Sequence, residues 1–299
     1  RQRQMCIRDR YGDGHLLIVA GPGTGKTRTL SHRIAHLLRS DPAMPGRILA
    51  LTFTNKAAKE MRQRIDGLLP GEQADRVRAS TFHSFCLDIL RDEVEKTGMG
   101  KKLHLCSEPD SWNVAGQVLS DAGMGKQATA RFVRWLSRYR TNPVPDGEAG
   151  GDPDFIPLFH TYRERLRESG MLDLDDLQLE TLRLLREHPE VCRRISGRYP
   201  KIFVDEYQDT SPVQAALLKE IHGQGKNEIC AIGDPDQAIY GFRGADVHHF
   251  HRFCRDFPGA KEIRLVKNYR STRVLLKGAS EIMGKKEPLE GNTGTGAPI

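Results

Sequence analysis

One segment constrains the fold more than any other: a short apolar run that leads into a glycine-rich loop. Residues 15–20 read HLLIVA, residues 20–27 read AGPGTGKT, and a helical pattern follows at once. Such glycines let backbone N–H groups turn inward around a phosphate, and the N-terminus of the next helix adds its positive end. A strand, this loop and a helix in that order predict a phosphate-binding loop, with Lys26 on the β- and γ-phosphates and the Thr27 hydroxyl on magnesium.

The first position of the loop departs from the usual GxxxxGK[ST] pattern, because Ala20 stands where a glycine is common. The alternative interpretation is a glycine-rich turn that contains a lysine by coincidence. The strand before the loop and the helix after it favour phosphate binding over this alternative.

Four more apolar runs alternate with helical patterns further along the chain. They are RILALTF at 47–53, KIFVDE at 201–206, EICAIGD at 228–234 and EIRLV at 262–266. The helix after the first run carries an apolar stripe from Leu30 to Leu38, which suits packing against a sheet. This alternation predicts an α/β fold with a parallel sheet.

The pattern changes between about 88 and 172, where helical periodicity continues without strand-like runs. A stretch rich in Pro, Gly and Asp, TNPVPDGEAGGDPD at 141–154, interrupts it. We interpret this region as a helical insertion and LDLDDLQLETLRLL at 172–185 as the return to the sheet domain. The predicted organisation is an adapter-like segment at 1–10, the first part of the sheet domain at 11–87, a helical domain at 88–172, the second part of the sheet domain at 173–262 and the start of another domain at 263–299.

The first ten residues, RQRQMCIRDR, resemble a translated sequencing adapter and show no apolar periodicity, so they are left out of the fold prediction. A native basic arm is the alternative. Four arginines against one aspartate give this segment +3 of the formal net charge of +7. The remaining +4 indicates only a mild preference for a polyanionic partner.

The composition indicates a folded protein rather than a disordered one, since 38% of the 299 residues are hydrophobic and 28% are charged. No window approaches the roughly 18 consecutive apolar residues of a membrane helix, and no signal-peptide pattern stands at the N-terminus. We therefore predict a cytoplasmic protein without a membrane partner. The six cysteines form no CxxC pair, which argues against a zinc site or a disulfide framework and favours reduced, mostly buried thiols.

Two acidic residues close the apolar run KIFVDE, within VDEYQDT at 204–210. Asp205 and Glu206 thus stand at the carboxyl end of a strand, where open α/β sheets bind ligands. Asp205 fits a residue that binds magnesium either directly or through a bound water, and Glu206 fits the residue that orients and deprotonates an attacking water. Such a pair alone is more often a solvated strand edge, but the phosphate loop upstream favours a catalytic role.

Six segments together resemble the motifs of the UvrD/Rep/PcrA superfamily 1 DNA helicases, in that family's order. They are GPGTGKT (21–27), LALTFTNKAAKEM (49–61), STFHSF (80–85), VDEYQDT (204–210), IGDPDQAIYGFRGAD (232–246) and LVKNYRST (265–272). The resemblance covers roughly residues 12–299. It implies a RecA-like domain 1A with a helical domain 1B inserted before VDEYQDT, followed by the start of a second RecA-like domain, 2A.

The resemblance also implies an activity, its cofactors and its partners. Members of the family use ATP and Mg²⁺ in the cleft between domains 1A and 2A, and they move 3′ to 5′ on single-stranded DNA and separate strands at duplex junctions. The function that follows is an ATP-dependent DNA helicase of repair or replication restart. Two alternatives stay open: the motor subunit of an AddA- or RecB-like helicase-nuclease, and an isolated ATP- and DNA-binding module with negligible turnover.

For the nucleotide, the resemblance assigns further roles residue by residue. Gln237 resembles the γ-phosphate sensor, Arg270 the arginine that stabilises transition-state charge, and Tyr269 the residue that stacks on adenine. The ATP-contacting set is Ala20, Gly21, Pro22, Gly23, Thr24, Gly25, Lys26, Thr27, Arg28 and Tyr269, and Thr27 and Asp205 would hold the metal. The alternative for NYRST is an ordinary strand-to-helix corner capped by Ser271.

For DNA, the positions of the family that face the single strand correspond to seven residues: Phe53, Asn55, Lys56, His83, Tyr240, Phe242 and Arg243. Base stacking on an aromatic ring does not depend on sequence, which suits a motor that must step over any base. Phe242 stands where relatives often carry tryptophan. The alternatives are a core position for Phe53 and a helix-capping role for His83.

Two departures from the family pattern concern the ends of the chain. The glutamine motif that reads adenine is expected before residue 11, where only the adapter-like segment stands, and neither Gln2 nor Gln4 is assigned that role. Motifs V and VI, the 2B insertion and the rest of 2A are not found among the 299 residues. We therefore expect an N-terminal fragment of a longer helicase, with one half of an ATP site, one side of a DNA track and little activity of its own.

Overall fold

A six-stranded parallel sheet lies at the centre of the structure, a computed structural model that describes residues 13–99, 103–140, 152–223, 227–241, 244–284 and 289–294. The strands in the described part are β1 (Leu16–Ala20), β2 (Ile48–Thr52), β3 (Val77–Thr81), β4 (His104–Leu105), β5 (Met171–Leu172), β6 (Lys201–Val204), β7 (Glu228–Gly233), β8 (Lys261–Leu265), β9 (Lys267–Thr272) and β10 (Glu290–Thr293). The large sheet has the order β3-β2-β6-β7-β1-β8, and each neighbouring pair is parallel. The prediction of a parallel α/β sheet of the RecA-like type is confirmed.

Helices cover both faces of this sheet. They are α1 (Lys26–Ser40), α2 (Asn55–Asp66), α3 (Gly71–Ala74), α4 (Phe82–Asp92), α5 (Val94–Thr97), α6 (Glu108–Asp121), α7 (Gln127–Tyr139), α8 (Phe155–Glu168), α9 (Asp176–Glu187), α10 (Pro189–Arg198), α11 (Pro212–Gly223), α12 (His248–Asp256) and α13 (Arg273–Ile282). The apolar stripe predicted on α1 packs as expected, because Leu30, Ile34 and Leu38 are fully buried together with Ile18 of β1 and Ile48 of β2. The burial of this stripe fixes the start of α1 directly beyond the end of β1, where the phosphate loop lies.

The sequence pattern missed one strand of the large sheet. Strand β3 reads VRAST and pairs with β2 alone, at the edge of the sheet. An edge strand is less enclosed than a central one, so Arg78 and Ala79 are only partly buried and the segment shows no continuous apolar run.

Within the region predicted as a helical insertion, the helices α6, α7 and α8 share a core of their own. Its buried members are Ala115, Val118, Leu119, Phe132, Leu136, Phe155, Phe159, Tyr162 and Leu166. Two short parallel strands, β4 and β5, pair where the chain enters and leaves this region. These strands were not predicted, because two residues are too few to show periodicity.

Two of the predicted domain boundaries fall inside continuous elements. The boundary at 87/88 lies within α4, and Ile89 and Leu90 beyond it are buried in the core of the large sheet. The boundary at 262/263 lies within β8, all of which pairs with β1. The large sheet therefore continues to Leu265. The division into named domains stays a prediction.

Some predictions concern residues outside the described part. The adapter-like segment 1–10 and residues 141–151 of the Pro, Gly and Asp-rich stretch are among them. Within the described ranges, no helix is long and apolar enough to span a membrane. Of the five cysteines described there, all are free thiols, and Cys86, Cys192 and Cys230 are buried.

Candidate functional site

The loops that carry the predicted site residues meet at one edge of the sheet. Because the strands are parallel, the carboxyl ends of β1, β2, β6 and β7 lie side by side. The phosphate loop follows β1, Phe53 follows β2, Asp205 follows β6 and Asp234 follows β7. The strand order thus brings together segments that are far apart in the chain.

The phosphate loop ends at Gly25, whose left-handed backbone (φ 85°, ψ 41°) turns the chain into α1. Glycine adopts this conformation without the steric cost of a Cβ atom. Thr24 closes the loop by donating its hydroxyl to the Gly21 carbonyl at 2.7 Å. The first N–H groups of α1 therefore lie at the tip of β1, and unpaired helix N-terminal amides are suited to bind an anion.

The Lys26 side chain connects three of the predicted motifs. Its ammonium lies 3.0 Å from Gln237 Oε1 and 3.2 Å from Glu206 Oε2, and the residue is only 9% exposed. The candidate phosphate-binding lysine, catalytic base and γ-phosphate sensor are thus in direct contact. A buried ammonium held by two side-chain oxygens marks the position at which an anionic oxygen would be bound.

The predicted metal ligands are also in contact. Thr27 Oγ1 donates to Asp205 Oδ2 at 2.8 Å. Two causes raise the pKa of Asp205 to about 6: burial, which is the larger, and the neighbouring charge of Glu206. The hydrogen bond from Thr27 opposes this rise. A hydroxyl and a carboxylate are oxygen ligands of the kind that magnesium takes beside water and phosphate oxygens, so the two residues fit that ion. In the described ranges no cluster of three or more His, Cys, Asp and Glu side chains could hold a metal, so the magnesium assignment depends on this pair.

Glu206 has the left-handed backbone conformation that favours glycine, with φ 50° and ψ 49°. Of the residues described, it is the one non-glycine residue with positive φ. This conformation costs about 1–2 kcal/mol for an L-residue. It turns the chain directly after β6, so that Asp205 faces Thr27 while the Glu206 carboxylate faces Lys26.

The segment with Tyr269 and Arg270 packs against the phosphate loop. Tyr269 N donates to the Gly23 carbonyl at 2.8 Å, and the fully buried Asn268 amide donates to the Pro22 carbonyl. Asn268 Oδ1 in turn accepts from Arg270 N at 2.8 Å and from Ser271 N at 2.7 Å. The corner before α13 is therefore held by Asn268, and the N-cap position of α13 is Thr272 rather than Ser271.

The side chains of the two predicted arginines of the ATP site are exposed. Arg28 lies in the first turn of α1, and Arg270 lies in β9 next to the phosphate loop. Both are therefore available to a ligand at the edge of the sheet.

A cleft of about 430 Å³ opens beside this site and contains three of the residues predicted to face DNA. The ring centroids of Phe53 and Tyr240 lie 4.9 Å apart, and the two ring planes are inclined by 33° to each other. Phe53 is half-buried in the cleft wall, so the core alternative does not describe its position. A pair of accessible rings offers stacking surface for a base.

His83 lines the same cleft near the start of α4. The helix is capped by Thr81, whose hydroxyl accepts from Ser84 N at 3.2 Å, so the capping alternative for His83 does not apply. The His83 ring instead lies 2.8 Å from the Gln178 amide, and burial lowers its pKa. Asn55 and Lys56 are exposed in the first turn of α2, whereas Phe242 and Arg243 lie outside the described residues.

Three contacts were not predicted, although each residue lies within a segment described above. Asn268 holds the phosphate loop, Gln178 contacts His83, and Gln208 is buried between the acids of VDEYQDT. The available signal was an amide side chain inside an otherwise assigned motif. The partners of Asn268 and Gln178 could not be named, because Pro22 and His83 are far from them along the chain.

The fold and the site together define the class: an α/β protein of the RecA-like type with a phosphate-binding loop at the carboxyl edge of its parallel sheet. The chain belongs to the UvrD/REP helicases, whose N-terminal domain family matches residues 2–258. The resemblance inferred from the six segments is confirmed. The match begins within the segment 1–10, whose assignment as adapter-like stays a prediction.

Similar proteins include helicases of three bacteria. The ATP-dependent DNA helicase PcrA of Bacillus subtilis (strain 168) is 38% identical over 279 residues, which are 91% of this chain. PcrA of Staphylococcus epidermidis is 39% identical over 282 residues and PcrA of Staphylococcus aureus 38% over 279 residues. The chain spans 38% of the length of each of these relatives.

Proposed function

We propose that this chain forms the nucleotide-binding and DNA-binding part of a cytoplasmic, ATP-dependent DNA helicase that moves 3′ to 5′ on single-stranded DNA and opens duplex junctions. The observation that carries the proposal is the Lys26 ammonium, held between Glu206 at 3.2 Å and Gln237 at 3.0 Å. One cation thus joins the phosphate loop to a candidate base and a candidate phosphate sensor. A role in DNA repair or replication restart follows from the family alone.

The residues of the nucleotide site would divide the work as follows. Lys26 and the N–H groups of the loop bind the β- and γ-phosphates, and Glu206 orients the attacking water and accepts its proton. Thr27 and Asp205 would hold magnesium, which neutralises charge on the phosphate oxygens when it is bound. Tyr269 and Arg270, which lie against the loop, would contact the base and the transferred phosphate.

The cleft beside the site would hold the single strand. Phe53 and Tyr240 offer stacking surface for the bases, while Asn55 and Lys56 would supply polar and positive groups for the phosphate backbone of the DNA. Tyr240 follows Gln237 by three residues, so a contact with the γ-phosphate and a contact with DNA belong to one short loop. Phosphate release could therefore shift the stacking residue directly, which is what a stepping motor requires.

The nucleotide assignment is tested in the whole helicase of which we propose that this chain is a part, by ATP hydrolysis with and without single-stranded DNA. We expect hydrolysis to be stimulated by DNA, and Lys26→Ala to lower turnover by about 10²–10³-fold because a donor to the reacting phosphate is lost. Lys59→Ala removes an exposed lysine of α2 and should leave turnover unchanged. Hydrolysis that is equally fast without DNA, or in Lys26→Ala, would contradict the proposal.

The DNA assignment is tested by binding of a fluorescent oligothymidylate. Tyr240→Ala should weaken binding by about 1–3 kcal/mol, because a stacking surface is removed. Ile239→Ala is the matched control, since Ile239 is 69% exposed and does not line the cleft. Equal DNA affinity of the two variants would show that the bases do not stack on Tyr240. In a translocation assay, faster arrival of the protein at the 3′ end of the strand than at the 5′ end would disprove the proposed 3′ to 5′ polarity.

A further inference from the structure

Gln208 is a buried amide between the nucleotide site and the DNA cleft, and the proposed function gives it no role. It lies in the 3₁₀ turn Tyr207–Asp209 after β6 and is 2% exposed. Its Nε2 donates to Glu206 Oε2 at 2.9 Å and to Asp209 Oδ2 at 3.3 Å. Its Oε1 accepts from Asp234 N at 3.0 Å, so one side chain contacts the acids of one loop and the backbone of the next.

The approach of Gln208 to β7 is unusually close. A Cβ atom on Gly233 would lie 2.3 Å from Gln208 Oε1 and 3.1 Å from the backbone N of Tyr207. Any side chain larger than hydrogen at residue 233 would therefore displace the amide. The close packing leaves Gln208 a single position, in which its oxygen faces the Asp234 N–H.

These contacts complete a closed ring of side chains and one backbone N–H group, that of Asp234, around the position proposed for the γ-phosphate. Lys26 contacts Glu206 at 3.2 Å, and Glu206 accepts from Gln208. Gln208 contacts Asp234, whose Oδ2 accepts from Gln237 Nε2 at 2.7 Å, and Gln237 Oε1 accepts from Lys26 at 3.0 Å. A ligand that takes Lys26 removes two of these contacts. Gln208 then still links the loops that follow β6 and β7, together with the hydrogen bond from Asp246 N to the Thr210 carbonyl at 3.2 Å.

Asp209 extends the ring to the DNA cleft. It is 7% exposed, it lines the cleft together with Phe53 and Tyr240, and its Oδ1 is buried without a hydrogen-bond partner in the described part of the chain. Burial, followed by the charge of Glu206, raises the pKa of Asp209 to about 6. The charge of Glu206 in the nucleotide site thus acts on Asp209 in the cleft.

We propose that Gln208 is a positioning residue that couples the nucleotide site to the affinity for single-stranded DNA. Gln208 holds Glu206, Asp234 and Asp209 in one arrangement. A change in the contacts of Lys26 is therefore passed through Gln208 to Asp209, which lines the cleft. The inference depends on the proposed function, because it assumes that phosphate and DNA bind where described above. A coupling residue has a defined signature: it changes the ratio of two affinities more than either affinity alone.

The test measures the affinity of this protein for a fluorescent oligothymidylate, with and without a saturating non-hydrolysable ATP analogue and magnesium. For the unaltered protein we expect the two DNA affinities to differ at least fivefold, the lower end of typical coupling between sites. Gln208→Met keeps the length of the side chain but removes its hydrogen bonds. The ratio should fall to within twofold of one, while the affinity for the analogue without DNA changes less than threefold.

The controls separate failure of the inference from failure of the proposed function. Gln117→Met makes the same change at an exposed position of α6 and should keep the original ratio. If Gln208→Met does not fold, as judged by its urea midpoint, Asp209→Asn tests the contact between Gln208 and Asp209 by a nearly isosteric change. This variant should lower the ratio of the two DNA affinities. An unchanged ratio in the variant that folds, or a ratio of one in the unaltered protein, overturns the inference. Failure of the unaltered protein to bind either ligand overturns the proposed function instead.

Discussion

Glu206 shows how a single residue can combine a functional side chain with an unfavourable backbone. Its φ of 50° carries the chain around the end of β6, and its carboxylate contacts Lys26. A glycine at this position would adopt the turn without strain but could not act as a base. We infer that the strain is retained because the site needs the carboxylate there.

This strain is measurable by comparing Glu206→Gly with Glu206→Ala. Both variants lose the carboxylate, but only glycine has no Cβ atom and so avoids the steric cost of the positive φ. The free energy of unfolding of the glycine variant should therefore exceed that of the alanine variant by about 1 kcal/mol. Urea denaturation gives the difference. Equal stability, or a more stable alanine variant, would show that the turn is unstrained.

Asp205 makes the stability of the metal-free protein depend on pH. Its pKa is raised from 3.8 to about 6 in the folded protein, so the folded state holds the proton more tightly than the unfolded state does. Its contribution to the free energy of unfolding therefore falls as pH rises from about 4 to about 6 and stays low above that. Asp205→Asn removes this contribution and should be more stable than the unaltered protein by about 1–3 kcal/mol at pH 7.5.

Urea denaturation at pH 4.5 and pH 7.5 without divalent cations checks this expectation. The difference in stability between Asp205→Asn and the unaltered protein should be larger at pH 7.5 than at pH 4.5. Asp92→Asn, a change at an exposed acid of α4, serves as the control. Parallel pH profiles for Asp205→Asn and the unaltered protein would refute the assignment.

At the scale of elements, a buried ionic cluster joins the helical region to the sheet domain. Arg140, directly after α7, is 3% exposed and lies 2.9 Å from Asp173 and 3.2 Å from Asp176 of α9. The Tyr162 hydroxyl of α8 donates to Asp173 at 2.7 Å. Three helices thus meet at one guanidinium group, and removal of its charge would leave two buried carboxylates without their cation.

Arg140→Met should lower the free energy of unfolding by about 3–5 kcal/mol, because it breaks a buried ion pair. Arg131→Met is the matched control on α7, since the Arg131 side chain is 68% exposed and pairs with Asp152 at 3.2 Å. That exposed pair should contribute no more than about 1 kcal/mol. Similar losses in the two variants, measured by urea denaturation, would contradict this account of the cluster.

At the scale of the molecule, the described residues form more than one hydrophobic core. The helical region has a core of its own around Phe132, and the large sheet has one on each face. Separate cores can open with separate free energies. The helical region should therefore lose its hydrogen-exchange protection without loss of the nucleotide site.

Phe132→Ala and Phe203→Ala provide a matched comparison, since both side chains are buried, one in the helical core and one in β6. Phe→Ala changes in cores typically cost about 3–5 kcal/mol. We expect Phe132→Ala to accelerate amide exchange in α6–α8 alone and to leave the affinity for an ATP analogue within twofold. Phe203→Ala should weaken protection across the sheet and reduce that affinity. Loss of protection throughout the chain in Phe132→Ala would show a single cooperative unit.

Much of the fold could be predicted because its signals are local. The alternation of apolar runs with helical patterns, the glycine-rich loop and the acids after KIFV are each contained in a few consecutive residues. The misses have physical causes as well. Strand β3 is an edge strand with a mixed pattern, β4 and β5 are two residues long, and the boundaries at 87/88 and 262/263 lie within elements whose periodicity does not change there.

The class of fold, the phosphate loop and membership of the helicase family could be inferred from the chain alone, because these depend on the order and spacing of residues along it. The tertiary structure decided the partners. Lys26 meets Gln237 across 211 positions of sequence, the Phe53 ring lies beside the Tyr240 ring, and Gln208 reaches Asp234. Each contact follows from the order of parallel strands in the sheet, which brings the carboxyl ends of β1, β2, β6 and β7 to one edge. Such contacts are non-local, so the periodicity of a single segment carries no trace of them.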